Sequence, residues 1–146
     1  MPDERRNPDE VPMTALLRAA RNAYGAAIRQ AIAAAGFDDV PRNGIYVIGA
    51  ISRTEAPLGT IIGWVGVSKQ AGGQLVDTLA ARGYLDRHVD EEDRRRLKVT
   101  LTERGKALAA VARATAEKVD EKLRRAVGAE HVAKTRATLM ALIALS

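Results

Sequence analysis

Apolar side chains return at steps of three and four residues through most of this chain. Met13, Leu16, Leu17, Ala20, Tyr24, Ala27, Ile28 and Ala31 set the first such stripe, with Arg18, Arg21, Asn22 and Arg29 on the other side. That period predicts an amphipathic helix, which Gly36 closes. A second, shorter helix is predicted over residues 43–52, where Ile45, Val47, Ile48 and Ile51 are apolar. Pro57 opens a third, running to about Val65, with Leu58, Ile61, Ile62 and Val65 at core spacing. Its intrinsic propensity is poor, because Thr60, Ile61 and Ile62 are β-branched and Gly63 follows. Packing must hold it.

The next stretch reads GVSKQAGGQLVDTLAARGYL. Gly66 is a helix terminator and Ser68 an N-cap for the following helix, which Gly83 ends. Two helices joined by a short glycine-containing turn form a helix-turn-helix. The period then changes to two: residues 85–89 and 97–101 predict strands of a hairpin, with DEEDRR at its tip. Leu97, Val99 and Leu101 form the buried face of the second strand, and Lys98 and Thr100 the solvent face. Thr102 caps a long helix whose seam is Leu108, Val111, Thr115, Val119, Leu123 and Val127. After Gly128, a last helix over residues 129–145 carries Val132, Leu139, Leu142 and Ile143 on one side. Helix-turn-helix followed at once by a two-stranded hairpin is a winged helix, so the fold class is mainly α with a small β-hairpin wing.

Composition narrows the function. With 146 residues the chain is one domain with room for a core, and 3% aromatics favour closely packed helices over a β-sandwich. A net charge of +5 favours a polyanionic partner. There is no cysteine, which excludes disulfides, thiolate metal sites and thiol redox switches, and points to the cytoplasm. No apolar run approaches the roughly 18 residues that span a bilayer. Residues 1–12, MPDERRNPDEVP, lack a signal peptide's apolar core and are expected to form a disordered arm. His88 and His131, without paired spacing, are not metal ligands, and DEED lacks the spacing of a calcium loop. No nucleophile or acid–base pair stands out, so neither enzymatic activity nor a cofactor is expected.

The segment VSKQAGGQLVDTLAARGYLDR, followed by D-x-x-D-R-R-x-L-x-V-x-L-T-E-R-G, resembles the MarR family of bacterial transcriptional regulators. The resemblance spans about residues 13–146 and is strongest over 65–106. It implies a homodimer built from interlocked N- and C-terminal helices, which binds a pseudo-palindromic operator through two winged helices. Many members release DNA when a small aromatic or phenolic ligand binds. On that template residues 13–36 are a dimerisation helix and 37–101 the DNA-binding region, while 102–146 hold the long helix and the C-terminal dimerisation helix. Gly72, Gly73 and Trp64 depart from residues usual in the family.

Site residues follow from geometry and template together. At about 100° per residue, Gln70, Gly73, Gln74 and Asp77 share one face of the second helix-turn-helix element, opposite Gly72, Leu75, Val76 and Leu79. The first face should enter the major groove, with Ser68 and Lys69 near phosphates at the helix start. Glutamine suits adenine's N6/N7 edge, which makes Gln70 and Gln74 the base readers. Gly72 would let two helices approach closely, and Gly73 would let DNA approach or merely soften the helix. At the tip, Arg95 is the minor-groove candidate and Arg94 a phosphate contact. Asp93, two residues before Arg95, would hold its guanidinium, as family wings pair an Asp and an Arg there. The dimer interface should use Met13, Leu16, Leu17, Leu139, Leu142 and Ile143. By family analogy Tyr24, Ile28, Tyr46 and Val111 could line a ligand cleft. The function expected is a sequence-specific DNA-binding regulator, a dimeric repressor released by a ligand. Two other readings stay open: a low-specificity DNA-architectural winged helix, and a helical protein-interaction module.

Overall fold

A computed structural model describes residues 7–146. Its elements are α1 (Met13–Ala34), α2 (Gly44–Arg53), α3 (Leu58–Val65), α4 (Lys69–Ala81), β1 (Leu85–Val89), β2 (Leu97–Leu101), α5 (Glu103–Val127) and α6 (Ala129–Ala144). This is a mainly helical winged helix with a two-stranded antiparallel hairpin. Pro57 is the N-cap of α3 and not its first residue. Of the arm expected to be disordered, residues 1–6 lie outside the described residues. Pro8–Glu10 form a single 3-10 turn, with the Asn7 side chain accepting from the Asp9 N–H at 3.2 Å.

Two compact units divide the chain, one from residue 30 to 114 and the other from the segments on either side. The first holds the larger core. Val47, Ile48, Leu79, Tyr84 and Leu108 are fully buried in it. The weak helix-former α3 is held as anticipated, by burial of Ile61, Ile62 and Val65; each such side chain contributes roughly 1.5–3 kcal/mol. β1 and β2 pair in the register Leu85↔Leu101 to Val89↔Leu97. The half-buried strand face expected from alternation holds at Val99 and Leu101, but Leu97, near the tip, is 64% exposed. Nothing packs over the outer end of a two-stranded ribbon.

The base of the hairpin is fastened at Tyr84. Its carbonyl accepts from the Thr102 N–H at 3.1 Å. The Thr102 hydroxyl donates to the Gly83 carbonyl at 2.5 Å and accepts from the Gly105 N–H at 3.0 Å, so one side chain caps α5 and ties it to the end of α4. Gly105 is required here: a Cβ would sit 2.1 Å from the Tyr84 carbonyl oxygen. The Tyr84 phenol donates to Asp39, which also pairs with Arg104 at 3.0 Å. Arg104 lies over the Tyr84 ring, 4.3 Å from its centroid, and donates to the Arg82 carbonyl. Arg82 in turn donates to the Asp39 carbonyl.

In the other unit Tyr24 donates to Asp120, whose second oxygen meets Arg136 at 3.4 Å, joining α1, α5 and α6. That hydrogen bond, then burial, raises the Tyr24 pKa above its ordinary value. Val132 is buried. Leu17 and Leu139 are half-buried, while Met13, Leu16, Met140, Leu142 and Ile143 are exposed.

Burial, and then the hydrogen bond to Asp39, push the Tyr84 phenol up to about 12. The neutral phenol is therefore favoured in the folded state. Its stabilisation is complete below the unfolded value of about 10 and is lost as pH rises toward the folded value. Donation from Tyr84 first, and Arg104 after it, holds the Asp39 carboxyl below its ordinary range. That contribution is present above the unfolded carboxyl value and lost as pH falls through the folded one. Denaturant titrations at several pH values should show Tyr84→Phe less stable near neutrality by about 1 kcal/mol. The variant should also lack the wild type's decline between pH 10 and 12.

Candidate nucleic-acid interface

The helix-turn-helix is built as its residues require. α3 ends on Gly66 in the left-handed region (φ 76°), which only glycine adopts without strain. Ser68 then caps α4, its hydroxyl accepting from the Ala71 N–H at 3.1 Å. Gly72 sits where α4 meets α3: a Cβ there would lie 2.3 Å from the Ile62 methyl Cγ2. The close approach expected of Gly72 is therefore real. Gly73 faces open space, with nothing within 4 Å of a Cβ.

The face division of α4 is also as expected. Gly72, Leu75, Val76 and Leu79 are buried, whereas Ser68, Lys69, Gln70, Gly73, Gln74 and Asp77 are exposed. One member of that face has a partner that helical geometry does not reveal: Asp77 is ion-paired with Arg87 of β1. Arg87 had no assigned role, and only the fold brings strand and helix together. Both partners are substantially exposed, so the pair contributes little stability, under about 1 kcal/mol. Its effect is on charge: a carboxylate on the outward face of α4 is covered by a guanidinium.

The wing tip corrects one expectation. Asp93 does not hold the Arg95 guanidinium. Its Oδ1 accepts from the Arg95 backbone N–H at 3.1 Å, and its Oδ2 pairs with Arg96 Nε at 3.6 Å. A two-residue separation favours the side-chain-to-backbone turn over a side-chain pair, because the N–H two positions on is already in reach. Asp90 does the same for the Glu92 N–H at 2.9 Å. Two carboxylates thus shape the tip. The side chains of Arg94 and Arg95 are exposed and make no hydrogen bond or ion pair among the described residues.

The remaining candidates divide between the two units. Tyr24 and Ile28 are half-buried in one, Tyr24 engaged by Asp120; Tyr46 and Val111 are half-buried in the other. Among the described residues no cluster of His, Asp or Glu could hold a metal ion, and no helix is long and apolar enough to cross a membrane.

A helix-turn-helix followed by a two-stranded hairpin defines a winged helix. No family model and no curated protein matches the chain. Solved structures do. The transcriptional regulator PA4135 covers 94% of this chain and 99% of its own at 19% identity, with a TM-score of 0.72. S. aureus MepR, in its DNA complex, covers 94% and 100% at 16% identity, with a TM-score of 0.72. Streptococcus pneumoniae FabT, solved in complex with DNA, covers 91% and 94% at 18% identity, with a TM-score of 0.69. The chain has the winged-helix fold of these MarR-family regulators.

The two adjacent glycines should respond to the same substitution with opposite sign. Gly73→Ala, on an open helical position, is expected to stabilise by up to about 1 kcal/mol. Gly72→Ala, which must displace buried Ile62, should destabilise by about 1–3 kcal/mol. Urea unfolding of both variants measures the contrast.

Proposed function

We propose that this chain is a sequence-specific, DNA-binding transcriptional regulator that acts as a homodimer. The observation that carries the reading is the juxtaposition, in one unit, of an exposed glutamine-bearing α4 face and a wing tip with two arginine side chains that have no partner among the described residues. Gln70 and Gln74 read base edges in the major groove, Ser68 and Lys69 meet phosphates at the start of α4, and Gly73 admits the duplex closely. Arg95 enters the adjacent minor groove, and Arg94 contacts phosphate. Two solved structures that share the fold contain DNA, which supports this partner.

Exposed Met13, Leu16, Leu142 and Ile143, with half-buried Leu17 and Leu139, are the apolar surface a second copy would cover. Paired recognition helices would then lie about 34 Å apart, one duplex turn, on a pseudo-palindromic site. Repression, and release by a small aromatic or phenolic effector, complete the reading by family analogy.

Selection of bound genomic fragments with purified protein tests the whole proposal at once. An operator preferred by about 10³ or more over random duplex is expected; a smaller ratio favours an architectural DNA binder. Affinity indifferent to salt would instead favour a protein-docking module. On the selected site, Gln74→Ala should cost about 1–3 kcal/mol and relax preference at one position. Arg94→Ala should weaken all sequences alike and lower the salt slope by about one. Arg87→Ala, by uncovering Asp77, should weaken binding to every duplex, and Asp77→Asn should restore it.

The dimer is checked separately. Leu16→Glu with Leu142→Glu should give a helical monomer in sedimentation, and a monomeric wild type would refute the assembly.

A further inference from the structure

The outer half of the wing carries an apolar pair that the described residues leave uncovered. Val89 is 51% exposed and Leu97 64%, and the register sets them directly opposite each other. Asp90 donates to the Arg96 carbonyl at 2.9 Å and Thr102 to the Tyr84 carbonyl at 3.1 Å. Those bonds fall on even-numbered residues and continue the register, so Val89↔Leu97 is a non-hydrogen-bonded pair. In such pairs the opposed side chains come closest. One exposed apolar side chain on a surface is ordinary, but two held side by side are a patch with a direction.

Alternation fixes the direction. Leu85, Arg87 and Val89 share one face of β1, and Leu101, Val99 and Leu97 lie opposite them on the same face of the ribbon. At its base this face is core: Leu85 is buried, and Val99 and Leu101 are half-buried. One step outward, Arg87 ion-pairs with Asp77 on the exposed side of α4. Val89 and Leu97 are the next step along that face, and beyond them stands the tip with Arg94 and Arg95. His88 and Lys98 belong to the reverse face. The apolar pair therefore lies between α4 and the tip, on the side of the ribbon turned toward α4.

We propose that Val89 and Leu97 form a shelf for the sugar edge of one DNA strand, the strand that separates the major groove met by α4 from the minor groove met by the tip. The inference rests on the DNA-binding reading above and adds a contact that is neither ionic nor base-reading. Deoxyribose presents C–H groups between successive phosphates, and these are the apolar part of a duplex backbone. Insertion of the pair between base steps is ruled out by its place in the hairpin, because residues 90–96 extend past it and meet the duplex first. Packed on the sugars, the shelf fixes how far the tip descends and so positions Arg95 in the groove. Burying apolar side chains releases no counterions, so this part of the affinity does not depend on salt.

Fluorescence-anisotropy titrations of the full chain on a duplex that the wild type binds, repeated over a range of salt, test the shelf. Threonine keeps the β-branched shape that strands favour but loses apolar surface, whereas isoleucine keeps both. Leu97→Thr and Val89→Thr should each weaken binding by about threefold to tenfold with the salt slope unchanged, and Leu97→Ile should bind as the wild type does. In NMR spectra at saturation, the Val89 and Leu97 methyls should show NOEs to deoxyribose protons. Threonine variants within about twofold of the wild type overturn the proposal. A salt slope that falls by about one together with affinity also overturns it, because a wing arginine is then what was lost. So do NOEs to base protons, or none. A wild type that binds no duplex of any sequence sinks the DNA-binding reading and the shelf together, while intact wild-type binding with unaffected variants sinks the shelf alone.

Discussion

The carbonyl of Tyr84 is the point on which the winged-helix unit depends. It belongs to a fully buried residue between the end of α4 and the start of β1, and it accepts the N–H of Thr102, where β2 hands over to α5. One hydrogen bond thus fixes the start of the wing to its finish. The Thr102 hydroxyl repeats the link to Gly83, and the absent side chain of Gly105 makes room for both. Around this point Asp39, Arg82 and Arg104 close a ring of polar contacts with the Tyr84 phenol. Losing the Gly105 gap would push α5 off the hairpin base, and the wing would lose its fixed angle to α4. The proposed interface is made from two separate elements and needs that angle to be single-valued.

Most of the architecture was legible because each element carries its own period and its own stop. The 3.6-residue stripes and the two-residue alternation differ within a few positions of each other around Gly83 and Thr102. Caps and left-handed glycines mark the joints, as at Ser68 and Gly66. Local signals of this kind survive folding because they are local. The Asp39 ring was not legible. Its members lie 22 to 65 residues apart in their hydrogen-bonded pairs. Nothing in the periodicity of the 37–43 connection distinguishes a structural aspartate from a solvated one. The strand face failed at Leu97 for a related reason: alternation says which residues share a side, but not whether anything covers it.

At the candidate site the same line divides what could be read. The outward set on α4 follows from helical geometry alone, so Gln70, Gly73, Gln74 and Asp77 were found by angle. What Asp77 touches was not, because its partner Arg87 sits on the next element at a separation set by tertiary packing. The tip was half read. A charged run after a helix-turn-helix identifies Arg94 and Arg95, yet the choice between a side-chain and a main-chain partner for Asp93 turns on the turn's backbone geometry. That geometry gives the carboxylate to the Arg95 N–H and leaves its guanidinium outside.

The clustered acids of the wing now have a physical role that does not oppose the arginines. A carboxylate on a main-chain N–H makes a charge-assisted bond, so Asp90 and Asp93 stabilise a tight tip that four acids and three arginines would otherwise push apart. Arg96 is turned back onto Asp93, which leaves Arg94 and Arg95 as the cations the tip offers outward. On α4 the arrangement is reversed: Lys69 is its single cation, its outward residues are uncharged glutamines, and its one outward carboxylate is covered by Arg87. Charge attracts any duplex, and neutral amides discriminate between duplexes only when that attraction does not swamp them. In the proposed function, cations on the wing tip and amides on the helix separate the two tasks, and the Tyr84 junction would hold the two parts at one fixed spacing along the duplex.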